Sequence, residues 1–165
     1  AYRDISIQFE KRKIKKIYHA IVEGQIKFEE FTINLPINAD ELDNVRIDKI
    51  HGKPAITTFQ TLELFKHFTL MQCEPLTGRM HQIRVHLYSQ NASIAGDVRY
   101  GSKFTFLSEI KRKFKGEDRH LINRFALHAH SIGFQLPSGN PIEIHAPYAN
   151  DMAVFLKLLR KYDSI

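Results

Sequence analysis

Arg84 is the residue whose type and position most clearly suggest chemistry. It lies in residues 79–90, a segment whose pattern predicts a helix. On a helical wheel of about 100° per residue, Arg84 falls roughly 40° from both Met80 and Tyr88, away from the polar side. That polar side consists of Arg79, Gln82, His86, Ser89 and Gln90, and the apolar side of Met80, Ile83 and Leu87. We therefore expect Arg84 to be partly buried.

A buried guanidinium needs a carboxylate or a phosphate, because an unpaired buried charge is very costly. The wheel position alone leaves two interpretations of Arg84 open. In the first, Arg84 has a structural role: it forms an ion pair or extends its charged end to solvent. In the second, it has a functional role and holds a catalytic carboxylate or an RNA phosphate.

A basic run near the start of the chain is the second feature of interest. It comprises Lys11, Arg12, Lys13, Lys15 and Lys16. On an extended strand these side chains divide between both faces, and lysines often protect exposed sheet edges. Alternatively, Lys13, Lys15 and Lys16 contact RNA phosphates, which position a nucleic acid without reading its sequence. With 24 Lys and Arg against 18 Asp and Glu, the net charge of +6 favours a polyanionic partner.

The nine histidines do not form a recognisable metal motif. His81 and His86 are five residues apart on the predicted helix, and no HExxH motif occurs. His128 and His130 share a strand face but have no cysteine or carboxylate at ligand spacing. The single Cys73 excludes a disulfide within the chain and any multi-cysteine metal site. Packed or surface histidines are therefore favoured over a metal site, and the absence of a GxGxxG or P-loop motif leaves a nucleotide cofactor without local support.

These residues must be positioned by a mixture of strands and helices. Residues 1–13 resemble the end of an amphipathic helix. Strands are predicted at residues 13–22, 26–35, 55–64, 68–74, 125–136 and 141–146, with one short strand within 38–48. Helices are predicted at residues 79–90, at 107–115 (a short basic helix or an insertion) and in a C-terminal helix capped by Asn150. The pattern predicts an α+β fold of one domain, residues 1–165, with a mixed, mainly antiparallel sheet and flanking helices.

Cellular location is constrained only by what the sequence lacks. No run of apolar residues reaches the length of a membrane span, and no signal peptide opens the chain. We therefore expect a cytoplasmic protein with no membrane partner.

Six segments in order along the chain carry a family resemblance. They are KIYHAIVEG at 16–24, KPAITTF at 53–59, EPLTGRMHQIRVHL at 74–87, GDVRYG at 96–101, ALHAHSIGF at 126–134 and APYANDM at 146–152. Together they resemble the RluA-like pseudouridine synthases over nearly the whole chain. The resemblance implies a pseudouridine synthase-like catalytic fold with a cleft across the sheet. It also implies isomerisation of uridine in ribosomal or transfer RNA, without a metal or an organic cofactor, after the base is flipped out of its stack.

The resemblance also implies roles for individual residues. Tyr18 matches the family tyrosine that packs on the flipped base and helps to remove the C5 proton. Arg84 matches the arginine that pairs with the catalytic aspartate, and Leu127 matches an apolar residue of the base pocket. Arg79 and His81, in the same motif as Arg84, are expected to contact the RNA backbone or to support the site.

The family's catalytic aspartate lies in an HRLD-type motif upstream of the KxY strand, and this sequence contains no such motif. Asp4 lies after the corresponding segment, and Asp97 belongs to another block where we expect a structural role. We therefore expect an N-terminally truncated, C-terminal portion of a catalytic domain, inactive alone, in which Arg84 faces water, an anion or another carboxylate. Ala1 in place of Met favours this interpretation over a non-catalytic RNA-binding module. A truncated sheet would also leave an edge through which copies of the chain self-associate.

Overall fold

The computed structural model describes residues 2–27, 29–40, 44–103, 106–111 and 114–165. Its helices are α1 Tyr2–Glu10, α2 Gln82–Tyr88, α3 Leu107–Ile110 and α4 Asn150–Tyr162, with a 3-10 turn at Val98–Tyr100. Its strands are β1 Lys15–Glu23, β2 Phe31–Asn34, β3 Ile37–Ala39, β4 Val45–Ile47, β5 Ile56–Leu64, β6 Phe68–Pro75, β7 Leu127–Gln135 and β8 Pro141–His145. In the described part of the chain, no helix is both long and apolar enough to span a membrane.

Six strands form one sheet in the order β2-β5-β6-β1-β7-β8, and β3 and β4 form a separate hairpin. Each of these neighbouring strands pairs antiparallel. The α+β fold with an antiparallel sheet is therefore confirmed, as is the predicted β5–β6 hairpin. Strand β1 lies in the interior of the sheet, where Tyr18 is paired with Cys73 on β6 and Ala129 on β7.

The pairing of β1 with β7 contains a β-bulge beside Tyr18. Ile17 pairs with Ser131 and Tyr18 with Ala129, so His130 is an extra residue on β7. Bulges bend a strand and change the direction of its side chains, and they are frequent next to functional sites. This bulge therefore alters the direction of the β7 side chains next to Tyr18.

The core lies between the sheet and α4. Phe155, Leu156 and Leu159 of α4 are buried, and Phe155 meets Phe68 of β6 edge to face at 5.5 Å between ring centroids. Such aromatic pairs add about 0.5–1.5 kcal/mol to the stabilisation from burial. The amphipathic pattern of the C-terminal segment thus forms the packing surface that the sequence predicts.

The helix that carries Arg84 is shorter than predicted. It begins at Gln82, because His81 adopts a left-handed conformation with φ 53°. The Gln82 side chain accepts hydrogen bonds from the Thr77 hydroxyl (2.7 Å) and from the Arg79 amide (3.0 Å), which stabilises a turn in place of the predicted first helical residues.

The predicted polar and apolar sides of this helix are also partly wrong. Gln82 and His86 are buried, whereas Met80 and Tyr88 are about half exposed. The two buried polar side chains are satisfied by hydrogen bonds. Gln82 donates to the Ile56 carbonyl, and His86 is hydrogen-bonded through both ring nitrogens to neighbouring segments of the chain. Polar residues on this helix therefore connect it to the sheet rather than to solvent.

Three other boundaries differ from the predictions. Strand β2 begins only at Phe31, and at the predicted start the Ile26 amide donates to the Thr69 hydroxyl rather than to a neighbouring strand. The N-cap of α4 is Ala149 and not Asn150. Within the predicted segment 107–115, helix α3 ends at Ile110, and residues 112 and 113 lie outside the described residues.

Candidate active site

A cleft of about 320 Å³ lies where β1, β7 and the start of α2 meet. Its lining includes six of the residues singled out by sequence, namely Lys16, Tyr18, Arg79, His81, Arg84 and Leu127. The structure thus brings together residues that are distant along the chain. Its volume lies in the range of sites that hold small ligands.

The Arg84 side chain is 11% exposed and forms a bidentate ion pair with Asp97. Nε lies 2.7 Å from Oδ2, and Nη2 lies 2.8 Å from Oδ1 of a carboxylate that is only 1% exposed. The guanidinium carbon lies 4.8 Å from the centroid of the Tyr100 ring and 4.4 Å from that of Phe125. The predicted burial of Arg84 is confirmed, and the carboxylate that it faces is Asp97.

The loop that carries Asp97 is fixed by its own backbone. The Asp97 carbonyl accepts hydrogen bonds from the amides of Tyr100 (3.0 Å) and Ser102 (3.1 Å). Gly96 adopts φ +78°, and a Cβ there would lie 2.5 Å from the Arg124 carbonyl oxygen. Only glycine tolerates this combination without strain. The GDVRYG block therefore presents the Asp97 carboxylate to α2.

Tyr18 and Leu127 form the part of the cleft that belongs to the sheet. Both are half-buried, on the interior strands β1 and β7. Lys16, two residues before Tyr18 on β1, also lines the cleft, and burial lowers its pKa. An aromatic face, an apolar side chain and a cationic group thus surround one space. This combination suits a planar base attached to a phosphate chain.

His81 and Arg79 lie just before the N-terminal end of α2. His81 Nδ1 is 2.9 Å from the Tyr100 hydroxyl, which links the start of the helix to the loop of Asp97. Arg79 donates from Nε to the Pro54 carbonyl at 3.1 Å and lines two further cavities that adjoin the cleft. Arg79 is thus a cationic side chain at the point where these cavities meet.

Lys13 and Lys15 do not line the cleft. They line an adjacent groove of about 240 Å³, together with Arg12 and Lys16. Lys15 is 61% exposed, and its Nζ lies 3.8 Å from a Glu74 carboxylate oxygen. A surface pair at this distance leaves the ammonium available to other anions. The basic run therefore extends the positive surface outward from the cleft.

A histidine cluster on the sheet was not anticipated from the sequence. His19 is buried, with its ring stacked on that of His130 at 3.9 Å between centroids, and its Nδ1 is 2.5 Å from the Tyr148 hydroxyl. His128 and His145 lie around the same rings. The register that pairs His19 with His128 could not be read from spacing along the chain.

The pKa of His19 is lowered from 6.5 to about 4, chiefly by burial and in the same direction by the neighbouring His130 and His128. Burial and nearby histidines also lower the pKa of His130. Among the described residues, no group of three or more His, Cys, Asp or Glu side chains could hold a metal ion. The lowered pKa values of His19 and His130 favour neutral rings at these two positions.

The sequence was compared with known proteins. Residues 1–89 match the family model described as RNA pseudouridylate synthase. The chain is 38% identical over 163 residues to ribosomal large subunit pseudouridine synthase C of Vibrio parahaemolyticus, and 36% identical over 163 residues to an uncharacterized RNA pseudouridine synthase, YlyB, of Bacillus subtilis. Each match covers 98% of this chain and 49% of the other protein. The chain thus spans about half the length of the curated relatives that it matches.

Solved structures show the same fold. Human RNA pseudouridylate synthase domain containing 4 superposes with a TM-score of 0.73 at 20% identity, covering 96% of this chain and 67% of the human chain. Human RNA pseudouridylate synthase domain containing 1 gives a TM-score of 0.66 at 22% identity, covering 97% of this chain and 71% of the human chain. On the family match, the chain belongs to the RNA pseudouridylate synthases.

Proposed function

We propose that these 165 residues are the C-terminal part of the catalytic domain of an RNA pseudouridine synthase. The nucleophilic aspartate would then come from a segment outside this sequence, which contains no HRLD-type motif. The observation that carries the proposal is the cleft in which Tyr18, Arg84 and Leu127 come together. The half-length match to the relatives agrees with a partial catalytic domain.

In the proposed reaction, the aspartate attacks C1′ of the nucleoside and the C1′–N1 bond breaks. The uracil then turns, and C5 bonds to C1′ as the bond between C1′ and the aspartate breaks and the carboxylate is released. Proton loss from C5 and proton gain at N1 complete the isomerisation, so no atom is added or removed. Tyr18 would stack on the flipped base and help to take the C5 proton, since a tyrosine offers an aromatic face and a polar end. Leu127 would pack against the base, and Arg84 would hold the carboxylate ionised and oriented.

The proposed substrate is RNA, held by its phosphates along the basic surface. Lys13, Lys15, Lys16, Arg79 and His81 would contact the RNA backbone around the cleft. Of ribosomal and transfer RNA, we favour large-subunit ribosomal RNA, because relatives at 34–38% identity are named ribosomal large subunit pseudouridine synthases. We place the protein in the cytoplasm on the ground of this substrate. The proposed chemistry requires neither metal nor organic cofactor.

Self-association of the isolated chain is part of the same proposal. Strands β2 and β8 end the six-stranded sheet, and Ile144 on β8 is 51% exposed. Unpaired edges readily pair with other chains. Without the segment that carries the nucleophile, copies of this chain would associate through such an edge. Analytical ultracentrifugation over a range of concentrations would detect the association.

The test compares the 165-residue chain with the protein encoded by its complete reading frame. Each would be incubated with unmodified ribosomal or transfer RNA, and pseudouridine would be measured by mass spectrometry of the nucleosides. We expect product only from the full-length protein. Tyr18→Phe, which retains the ring, should lose product while still binding RNA, whereas Lys157→Gln on α4 should retain activity. RNA binding without product by the wild-type full-length protein would instead favour the non-catalytic module.

A further inference from the structure

We propose that a second cavity beside the cleft binds the nucleotide next to the target uridine, the one that is isomerised. This neighbour cavity of about 260 Å³ lies between the β3–β4 hairpin and the turn before α2, and its lining includes Ile37, Lys53, Gly78, Arg79 and Met80. In the proposal, which rests on the proposed function, Arg79 binds the phosphate that joins the two nucleotides. Lys53 binds the next phosphate along the RNA strand.

The neighbour cavity and the cleft share part of their lining. Gly78 and Arg79 line both spaces, so Arg79 stands where one passes into the other. A Cβ added at Gly78 would meet no atom of the described residues within 4 Å, which shows that this boundary is open. Two spaces with a cation between them match two successive nucleotides, because one negatively charged phosphate joins each nucleotide to the next.

Hydrogen bonds hold Arg79 in this position. Its amide donates to the Gln82 side chain at 3.0 Å, and its Nε donates to the Pro54 carbonyl at 3.1 Å. The bond to Pro54 uses Nε and leaves the two Nη groups outside it. Since a guanidinium has five N–H donors in a plane that suits phosphate oxygens, Arg79 can bind a phosphate without releasing Pro54.

Lys53 supplies a second cation from a backbone that is fixed to β3. Its amide donates to the Ile37 carbonyl at 2.8 Å, and its own carbonyl accepts from the Ile37 amide at 3.0 Å. Lys53 is exposed and directly precedes Pro54, the residue to which Arg79 is bonded. The described residues that line the neighbour cavity include no carboxylate. Two cations without an opposing charge in the lining favour an anionic ligand.

Met80 adds apolar surface to the same cavity. Its position on the helical wheel predicts a buried side chain, yet Met80 is 50% exposed. A methionine thioether is polarisable and makes favourable contacts with aromatic rings. Apolar surface in a cavity that also holds two cations suits a base with a phosphate on each side. We therefore assign Met80 to the base of the neighbouring nucleotide.

The test uses the full-length protein and an RNA in which its target uridine has been mapped. The phosphates on either side of this uridine are replaced one at a time by uncharged methylphosphonate, and kcat and KM are measured for wild type and Lys53→Gln. We expect Lys53→Gln to raise KM about tenfold, the size of one lost hydrogen bond to a charged group. Its kcat should not change, because Lys53 does not touch the reacting atoms.

The phosphate that Lys53 binds is identified by the combination of the two changes. Neutralising the second phosphate from the target uridine, on one side of it, should raise KM of the wild type about tenfold. The same RNA should raise KM of Lys53→Gln little further, because the contact is already lost. The matched control is Lys49→Gln, which changes the same charge in the same loop. Lys49 is not among the described residues that line the neighbour cavity, so this variant should respond to every substitution as the wild type does.

Met80→Ala tests the contact with the base. Removing the base of the neighbouring nucleotide, with the backbone of the RNA left intact, should raise KM of the wild type about tenfold, since stacking of one base contributes about 1–3 kcal/mol. The same abasic RNA should affect Met80→Ala much less. Equal losses in wild type and Met80→Ala would contradict the assignment of Met80.

Three outcomes would overturn the inference as a whole. They are an unchanged KM in Lys53→Gln, an equal rise of KM in Lys49→Gln, and coupling of Lys53 to no phosphate or to one distant from the target uridine. The last is also the result expected if a protein segment fills the cavity. Lys53→Gln should fold, because the bonds to β3 come from its backbone. If thermal melts nevertheless differ, Lys53→Arg, which keeps the charge, must restore the wild-type KM.

Failure of the inference can be distinguished from failure of the proposed function. Wild-type full-length protein that makes no pseudouridine refutes the proposed function, and the inference with it. Active wild type in which Lys53 shows no coupling to a neighbouring phosphate refutes only the inference.

Discussion

His19 makes the stability of the chain depend on pH in a direction that can be calculated. The pKa of its ring is lowered from 6.5 to about 4 in the folded chain, chiefly by burial. The unfolded chain therefore binds a proton at His19 between these two values, and the folded chain does not. The contribution of the neutral ring to stability is full above about pH 6.5 and is lost as the pH falls towards 4.

The size of the effect follows from the same two values. A shift of one pKa unit corresponds to about 1.4 kcal/mol, so the complete effect is about 3 kcal/mol. Between pH 7 and pH 5, where the unfolded ring is largely charged and the folded ring still neutral, it is about 2 kcal/mol. This is a substantial part of the total free energy of unfolding of a domain, which is about 5–15 kcal/mol.

The assay is urea denaturation of wild type and His19→Asn at pH 7, 6, 5.5 and 5. His130 and His86, whose pKa values are also lowered, titrate in both proteins. The difference between the two free energies of unfolding therefore cancels the titration of His86 and reports that of His19 together with its coupling to His130. The stability advantage of the wild type over His19→Asn should decrease by about 2 kcal/mol from pH 7 to pH 5. The reason is that protonation of His19 destabilises the folded wild type, and the variant has no ring to protonate at this position.

The matched control is His51→Gln on an exposed loop, where 76% of the side chain is accessible. It should lose stability with falling pH as the wild type does. If the difference in free energy of unfolding between wild type and His19→Asn stays constant over this range, the reasoning is refuted. Such a result would mean that His19 has the same pKa in the folded and the unfolded chain.

Two further predictions concern the basic run and the loop of Asp97. If the chain binds RNA, replacing Lys13, Lys15 and Lys16 together by Gln should weaken binding. It should also reduce the slope of the logarithm of the RNA association constant against the logarithm of the salt concentration by about 2, because each lost phosphate contact contributes about 0.7–0.9. An unchanged slope in filter-binding titrations would contradict the assignment of these lysines to RNA binding. Gly96→Ala should unfold well below the wild-type temperature in thermal melts, because φ is +78° and the new Cβ would lie 2.5 Å from a backbone oxygen. Gly139→Ala is its control: φ is +86° but nothing lies within 4 Å of the added Cβ, so a loss as large as that of Gly96→Ala would show that backbone strain alone accounts for the effect.

The sheet could be predicted because its strands alternate in hydrophobicity and end at turn residues. Residues 55–64 and 68–74 were predicted within about a residue of β5 and β6, where Lys66 and His67 interrupt the pattern. The start of α2 was predicted too early. Its true first residue depends on Gln82, whose side chain reaches back to Thr77, and hydrophobic periodicity contains no information on such a bond.

The cleft could be predicted from the family motifs, but its electrostatics could not. The wheel position of Arg84 indicated a buried charge and hence a partner. Nothing in the spacing identified Asp97 as that partner, because the pairing depends on the path of the loop between them. The same reason applies to His19 and His130, which are brought together only by the pairing of β1 with β7 and its bulge.

The strand order has a consequence for how the chain acquires its shape during synthesis. Strand β1 leaves the ribosome before either of its neighbours exists, since Tyr18 must pair with Cys73 and, much later, with Ala129. Long-range pairing of this kind is slow and leaves apolar strands exposed in the meantime. The nascent β1 thus exposes Ala20, Ile21 and Val22, which are buried in the folded chain, until its partner strands exist, and the tyrosine side of the cleft is completed only after β7 has been translated.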